Sequence, residues 1–232
     1  MRFLLTRTER DSNALKNKLA KYGHDAVISP LMEIKPLDHP KIHLDGYQAL
    51  IFTSRNAVKI FTEQYGAPNI LVLTVGDKTA ECAKQAGFNA VKSANGDVEK
   101  LASDIIMLLN PKNGPLLYLS AQHVSKDLGQ LLEKDNFYVN EIKVYEAVSK
   151  NTLSDKALND IKSGAIDYIP FYSSRSALIF IETIKKAGLT DNLNGISALC
   201  MSSDIAKSIS SVSWNDILIA DQPDEEALLR LI

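Results

Sequence analysis

Short apolar runs and amphipathic segments alternate along almost the whole chain. The runs at 2–6, 47–53 and 166–172 are apolar on both faces, which is typical of strands in a parallel sheet that helices cover. Between such runs, apolar residues such as Leu15 and Leu19 recur every three or four positions, and this spacing predicts helices. The pattern therefore predicts an α/β protein built from parallel sheets.

The same pattern assigns most of the chain to an element. The predicted strands are 2–6, 25–29, 47–53, 70–75, 89–92, 115–119, 166–172, 196–201 and 216–220. The predicted helices are 10–21, 54–65, 77–86, 97–109, 123–135, 152–162, 174–186, 203–210 and 223–231. Two further segments, 31–37 and 138–148, alternate polar and apolar residues, and we interpret them as extended connectors.

The chain also contains an internal repeat. In both Ile51–Val58 and Phe171–Leu178 an apolar run ends in hydroxyl residues, continues with an arginine and begins a helical pattern, at an offset of 120. A second pair, Ile70–Ala80 and Ile196–Ala206, is offset by 126. Offsets this similar predict two copies of one unit, hence two similar lobes with a ligand between them. The alternative is that unrelated strand–helix units merely look alike.

Composition narrows the function classes. The 232 residues suit one large domain or two small ones, and a net charge of −2 predicts no nucleic-acid or membrane partner. Cys82 and Cys200 lie in apolar segments without CxxC spacing, which predicts buried, reduced thiols and a cytoplasmic protein. The four histidines are scattered and match no metal-binding motif, so we expect no metal site.

Hydroxyl and basic residues cluster where predicted strands end and helices begin. These segments are Thr6-Arg7, Thr53-Ser54-Arg55, Val75–Ala80, Ser173-Ser174-Arg175 and Ser202-Ser203. Open parallel sheets bind ligands at the carboxyl ends of their strands, and the N–H groups of helix N-termini favour anions. The segments therefore predict a site for carboxylates or phosphates. A single Ser or Thr at such a position is equally typical of a plain helix N-cap.

Tyr145 lies in the second predicted connector, 138–148. An aromatic residue in a connector usually packs against the core. A phenol beside a cleft can instead donate a proton to a leaving group. The sequence leaves both interpretations open.

In their order and spacing, these short motifs resemble uroporphyrinogen-III synthases. The resemblance runs from Thr6-Arg7 through Phe52–Val58, Val75–Ala80 and Val144-Tyr145 to Phe171–Ala177, and it covers essentially the whole chain. It implies two flavodoxin- or Rossmann-like parallel-sheet lobes joined by a two-stranded connector. The implied lobes are 1–33 plus 150–232, and 39–142, with connector strands at 34–38 and 143–149.

The resemblance also implies an activity, that of a cyclising hydro-lyase of haem biosynthesis. Such an enzyme closes the linear tetrapyrrole hydroxymethylbilane to uroporphyrinogen III, with inversion of ring D and loss of water. It implies no metal and no other cofactor, a cytoplasmic monomer, and a transient handover of substrate from hydroxymethylbilane synthase. The alternative is a non-catalytic, two-lobed tetrapyrrole- or anion-binding module related to the family.

Site residues follow from the resemblance one by one. Tyr145 matches the connector tyrosine that is proposed to help the ring A hydroxyl leave. The expected substrate-binding residues are Arg7, Thr53, Ser54, Arg55, Asn56, Thr79, Ser173, Ser174 and Ser203. Ser203 is the expected substitute for a family threonine, because Ile205 stands where that threonine is common. Ser120-Ala121 stand where the family often has Arg-Gly.

Overall fold

The computed structural model describes residues 1–124 and 126–232, which form two compact units. Unit 1 comprises Met1–Glu33 and Val148–Ile232, and unit 2 comprises Ile34–Ala147. The chain therefore passes from one unit to the other twice, between residues 33 and 34 and between residues 147 and 148.

The predicted strands and helices are all observed, with ends shifted by at most five residues. The strands are β1 (Arg2–Leu5), β2 (Asp25–Ile28), β3 (Met32–Pro36), β4 (Ala49–Phe52), β5 (Leu71–Thr74), β6 (Val91–Ser93), β7 (Leu116–Ala121), β8 (Val139–Ser149), β9 (Tyr168–Phe171), β10 (Ser197–Cys200) and β11 (Asp216–Ile219). The α-helices are α1 (Glu9–Ala20), α2 (Arg55–Tyr65), α3 (Asp77–Gln85), α4 (Val98–Leu108), α5 (Leu128–Glu133), α6 (Asp155–Lys162), α7 (Ser174–Ala187), α8 (Ser203–Ile209) and α9 (Glu225–Leu229). The largest shift is at the start of α5, within a predicted helix that included Ser125, a residue outside the described ones.

Both sheets follow one strand order. In unit 1 the order is β11-β10-β9-β1-β2, with every neighbouring pair parallel. In unit 2 it is β8-β7-β4-β5-β6, again parallel, with β3 added beside β8. The two orders coincide when the strands are matched as the sequence repeat aligns them. The matched pairs are β1 with β7, β2 with β8, β9 with β4, β10 with β5 and β11 with β6. Counted in chain order within each unit, this is the flavodoxin-like order in unit 1 and the Rossmann-like order in unit 2, so the predicted fold class is confirmed.

Burial on both sheet faces explains why the strands are continuously apolar. All four residues of β4, Ala49–Phe52, are completely buried. Leu50 and Phe52 pack in one hydrophobic cluster with α2, while Ala49 and Ile51 pack in another with α4. Because successive side chains of a strand point to opposite faces, a strand covered on both faces needs apolar residues at every position.

One predicted connector is also a sheet strand. Residues 138–148 were expected to connect the lobes, but Val139–Lys143 of β8 pair in parallel with β7 inside unit 2. Beyond that stretch, β8 lies beside β3, and the Val144 carbonyl accepts a hydrogen bond of 3.0 Å from the Leu37 N–H. The connector interpretation of the whole segment 138–148 is therefore wrong for its first half, whereas the connector strand at 143–149 that the resemblance implies stays a prediction. Alternation has the same period in both halves, so it could not separate them.

The two cysteines differ in burial, contrary to the sequence prediction that both are buried. Cys200 is completely buried in β10, and burial raises the pKa of its thiol to about 12. Cys82, in α3, is partly exposed. In the described part of the chain, none of the helices combines the length and apolarity needed to cross a membrane.

Replacing Ile184 by Ala is expected to destabilise unit 1 by about 2–5 kcal/mol, because this completely buried side chain of α7 leaves a cavity. Leu178, on the same helix, is 48% exposed, so Leu178→Ala is expected to cost about 1 kcal/mol or less. Urea denaturation, followed by the fluorescence of the single tryptophan, Trp214 of unit 1, measures both losses. Equal losses for the two variants would contradict the assigned packing of α7.

Candidate functional site

In each sheet there are two neighbouring strands whose following connections run to opposite sides of the sheet. They are β1 and β9 in unit 1 and β7 and β4 in unit 2. Open α/β sheets bind ligands at such a switch point, beyond the carboxyl ends of the strands, because the loops diverge there and leave a crevice. We call residues 6–8 and 172–173 the unit 1 edge, and residues 53–54 and 122–124 the unit 2 edge.

The unit 2 edge is held by a hydrogen bond between two hydroxyl groups. Thr53 follows β4, and its Oγ1 lies 3.1 Å from the hydroxyl oxygen of Tyr118 on β7. Burial raises the pKa of the Tyr118 phenol, and the hydrogen bond with Thr53 opposes that rise. Sequence reasoning predicted Thr53 and missed Tyr118. The repeat offsets, which align β7 with β1 and so place it beside β4, were the available signal.

The first turn of α2 contains three predicted residues. Ser54 is the N-cap of α2, and its Oγ accepts a hydrogen bond of 3.1 Å from the Asn56 N–H. This is the capping role that the sequence had left open. A capping hydroxyl acts as an acceptor, so its own O–H group is still able to donate to an anion. Arg55 is partly exposed, and its backbone carbonyl lies 4.0 Å from the thiol of Cys82.

Thr79 is less accessible than these residues. It lies in the first turn of α3, after β5, and its N–H donates to the carbonyl of Gly76 at 3.0 Å. Only 7% of Thr79 is exposed. The motif Val75–Ala80 therefore forms the predicted strand, turn and helix start, with its threonine turned largely into the protein.

Tyr145 combines packing with a place at the strand ends. It lies on β8 opposite Ala121, the last residue of β7, and its carbonyl accepts a 2.7 Å hydrogen bond from the Gln122 N–H. The residue is 7% exposed and belongs to the same hydrophobic cluster as Leu119. The ring therefore packs in the core of unit 2 while the residue lies next to the unit 2 edge.

Ser120, which stands where the family often has an arginine, forms a hydrogen bond within unit 2. Ser120 is completely buried, and its Oγ donates to Glu141 Oε1 at 2.5 Å. Both residues lie on adjacent strands of the unit 2 sheet, β7 and β8. A serine at this position therefore stabilises a strand pair and does not offer a cation to the edge.

At the unit 1 edge, Arg7 is compensated by two carboxylates. Its Nη2 lies 2.8 Å from Asp11 Oδ2, and its Nη1 lies 3.4 Å from Glu225 Oε2. The guanidinium carbon also lies 4.2 Å from the ring centroid of Tyr172, the residue after β9. An incoming anion therefore has to compete with these carboxylates. Sequence reasoning missed Glu225 and Tyr172, and nothing in the sequence signals that Glu225 meets a residue 218 positions away.

The Tyr172 phenol contributes a donor to this edge. Burial raises its pKa, the negative charge of Glu225 raises it further, and Arg7 opposes both effects. The phenol therefore stays protonated at neutral pH. Its hydroxyl donates to Glu225 Oε2 at 3.4 Å.

The serines of unit 1 lie at helix starts beside this edge. Ser173 is the N-cap of α7, where its Oγ accepts from the Ser176 N–H at 3.2 Å, and Ser174 is the first residue of the helix. In α8 the cap is Ser202, whereas Ser203 is exposed in the first turn. Ile205 is buried in the core of unit 1, so its side chain serves packing.

The structure thus brings the predicted residues together within each unit. Since β1, β9 and β10 are neighbours, Arg7, Ser173, Ser174 and Ser203 lie along one end of the unit 1 sheet. Since β8, β7, β4 and β5 are neighbours, Tyr145, residues 53–56 and Thr79 lie along one end of the unit 2 sheet. Among residues 1–124 and 126–232, no cluster of three or more His, Cys, Asp or Glu side chains is placed to hold a metal.

Two cavities lie elsewhere. One of about 660 Å³ in unit 2 is lined by residues 38–43 and 140–143, together with Tyr47 and Leu117. The other, of about 550 Å³ in unit 1, is lined by residues of α1, of the loop after α1 and of the C-terminal segment, among them Tyr22 and Arg230. None of the predicted site residues lines either cavity. Taken within a single unit, a sheet edge is an open surface. The candidate site at such an edge is therefore defined by the sheet topology and the donor groups of the loops.

Comparison with known proteins points to one family. The family described as uroporphyrinogen-III synthase HemD matches residues 13–230. The porphyrin biosynthesis protein HemD of Ruminiclostridium josui is 24% identical over 229 residues, which cover 89% of this chain and 43% of that protein. The chain therefore spans less than half the length of this curated relative.

One solved structure shows the same fold. The uroporphyrinogen-III synthetase of Helicobacter pylori matches with a TM-score of 0.63 and 20% identity, over 100% of this chain and 98% of that one. A mutant uroporphyrinogen III synthase of the extremely thermophilic bacterium Thermus thermophilus matches with a TM-score of 0.49 and 16% identity, over 99% and 96% of the two chains. At 20% identity, the first match establishes a shared fold.

Replacing Thr53 by Val is expected to lower the free energy of unfolding by about 1–3 kcal/mol, because the buried Tyr118 hydroxyl loses its partner. Adding Tyr118→Phe to that variant removes the orphaned hydroxyl, so the double variant is expected to be more stable than Thr53→Val alone. Urea denaturation of the single and double variants measures this coupling. Strictly additive losses would show that the two hydroxyls do not stabilise each other.

Proposed function

The chain belongs to the uroporphyrinogen-III synthase family, and we propose that it closes hydroxymethylbilane to uroporphyrinogen III, with inversion of ring D and loss of water. The observation that carries this proposal is the pair of donor-rich edges at the two switch points. The substrate is a linear polycarboxylate, so a site for it needs several separate anion contacts. Helix N-termini, hydroxyl groups and single arginines on two similar units supply contacts of that kind.

We assign the substrate contacts by unit. In unit 2 they are Thr53, Ser54, Arg55, Asn56 and Thr79, and in unit 1 they are Arg7, Ser173, Ser174 and Ser203. Donors distributed in this way can hold the flexible substrate at several points. Such restraint lowers the entropic cost of closing the ring. The same restraint decides which α-carbon of ring D reaches the reacting carbon.

We assign the chemical step to Tyr145 and the substrate. The bond between the ring A methylene carbon and its hydroxyl breaks, and the Tyr145 phenol gives its proton to the departing oxygen, so that water leaves. Electrons of the ring A pyrrole nitrogen stabilise the azafulvene that remains. Inversion requires ring D to attack the ring A methylene carbon through the α-carbon that already carries the bridge to ring C. The bond from that carbon to the bridge then breaks and re-forms at the other α-carbon of ring D, and the proton displaced there balances the one that Tyr145 supplied.

We also propose that the protein works as a cytoplasmic monomer that receives hydroxymethylbilane from the synthase that makes it. Direct handover suits this substrate because it cyclises spontaneously, without inversion, to the type I isomer.

A product assay tests the proposed function. Hydroxymethylbilane is generated in situ, the protein is added, and the products are oxidised and separated as type I and type III porphyrins. The type III isomer is expected to dominate with the protein and to be absent without it, since spontaneous closure does not invert ring D. Binding of the tetrapyrrole with type I as the only product would support the alternative, a non-catalytic binding module.

Replacing Tyr145 by Phe is expected to lower kcat about 10²–10⁴-fold, the usual contribution of a general acid, while the product stays type III. Phe keeps the ring in the core of unit 2, so the melting temperature is expected to change little. Tyr138→Phe is the matched control, because Tyr138 precedes β8 and is 71% exposed. A Tyr145→Phe protein with the kcat of the control would return Tyr145 to a packing role.

A further inference from the structure

Three donors converge on one carboxylate at the unit 1 edge. Arg7 Nη1 and the Tyr172 hydroxyl each lie 3.4 Å from Glu225 Oε2, and Lys18 Nζ lies 3.5 Å from Glu225 Oε1. The donors come from the loop after β1, from α1 and from the loop after β9. Two cations and a phenol around a single carboxylate form a carboxylate-binding site, and in the free protein Glu225 fills it.

Glu225 fills this site loosely. Its three contacts lie at the long end of the hydrogen-bond range, where about 2.9 Å is usual for N–H donors and about 2.7 Å for O–H donors. Arg7 itself makes a contact of 2.8 Å with Asp11, so its guanidinium is able to approach a carboxylate closely. A carboxylate that is not tethered to α9 is therefore able to bind these donors more tightly than Glu225 does.

The helix that carries Glu225 is held in place by other residues. The short helix α9 is anchored by Ala227 and Leu228, which are buried in the core of unit 1. Its N-cap, Asp224, accepts a 2.7 Å hydrogen bond from the Ala227 N–H. These contacts hold α9 without Glu225, so its carboxylate can leave the donors while the helix stays in place.

The donors are also within reach of solvent. The side chains of Arg7, Lys18 and Glu225 are 24%, 35% and 31% exposed. A carboxylate from solution can therefore meet them without unfolding of the unit. Partial exposure also makes the contacts with Glu225 weak, since water screens exposed ion pairs.

We propose that Glu225 is a stand-in for a substrate carboxylate: it occupies the carboxylate site formed by Arg7, Lys18 and Tyr172 until a carboxylate side chain of the tetrapyrrole replaces it. This inference rests on the proposed function, whose substrate is a polycarboxylate. It also makes Glu225 a specificity-determining residue. A ligand with one carboxylate must displace Glu225 unaided, whereas a polycarboxylate held at other points brings its carboxylate at a high effective concentration.

Glu225→Gln tests the proposal, because it removes the competing charge and keeps the size of the side chain. Uroporphyrin III, the oxidised form of the proposed product, is the probe, and fluorescence titration gives its affinity without turnover. The affinity is expected to rise about three- to tenfold, which corresponds to the strength of a partly exposed charge-assisted contact. The KM for hydroxymethylbilane is expected to fall by a similar factor, with a smaller change in kcat.

Glu226→Gln is the matched control. Glu226 lies next to Glu225 in the first turn of α9 and is exposed, so the variant makes the same charge change outside the donor cluster. It is expected to leave the affinity for uroporphyrin III unchanged. In the double variant Arg7→Ala, Glu225→Gln, the gain is expected to disappear, because the main cation that the substitution releases is no longer there.

The possible outcomes separate this inference from the proposed function. An affinity that is unchanged or weaker in Glu225→Gln, with a lowered melting temperature, would overturn the inference and make Glu225 a structural ion-pair partner. Type III product together with that result would leave the proposed function intact. A tighter affinity without any type III product would support the carboxylate site and remove the catalytic role.

Discussion

Parallel pairing at the two switch points is the constraint on which the rest of the structure depends. Hydrogen bonding of β1 with β9 and of β4 with β7 places their carboxyl ends side by side, although the paired strands lie more than sixty residues apart in the chain. The loops that leave these ends carry most of the polar groups of the candidate site. Burial of both sheet faces beneath helices holds the pairing, because separating the strands would expose their apolar side chains to water.

The unit 1 edge and the unit 2 edge contain different kinds of polar group. The unit 1 edge contains the charges of Arg7, Asp11 and Glu225 together with a buried phenol. The unit 2 edge is held by neutral hydroxyls, those of Thr53 and Tyr118. Charged groups bind anions strongly but must be compensated when the site is empty, whereas neutral donors need no counter-charge. The two units therefore present different polar groups at corresponding sheet edges.

The departures from the family pattern have physical explanations within each unit. Ile205 fills the core of unit 1, and the Ser120 hydroxyl donates to Glu141 within the sheet of unit 2. Both positions therefore serve stability in this chain. Ser203, which we predicted as the substitute for the family threonine, is exposed at the start of α8.

The sequence by itself determined the elements, the fold class and most of the candidate residues, because hydrophobic periodicity and the hydroxyl-arginine repeat are local patterns. It also left alternatives that only tertiary structure decided. Strand pairing by the first half of β8 and burial of the Tyr145 ring depend on atoms outside the local segment. Capping by Ser54 and Ser173 is local, but only the atomic positions show that each hydroxyl accepts from an N–H group of its own helix. Arg7 was predicted as a binding residue, but its meeting with Glu225 and Tyr172 could not be predicted, since the folded sheet and α9 bring together residues from opposite ends of the chain. Periodicity records which face of an element is buried, whereas a binding site depends on which distant elements meet.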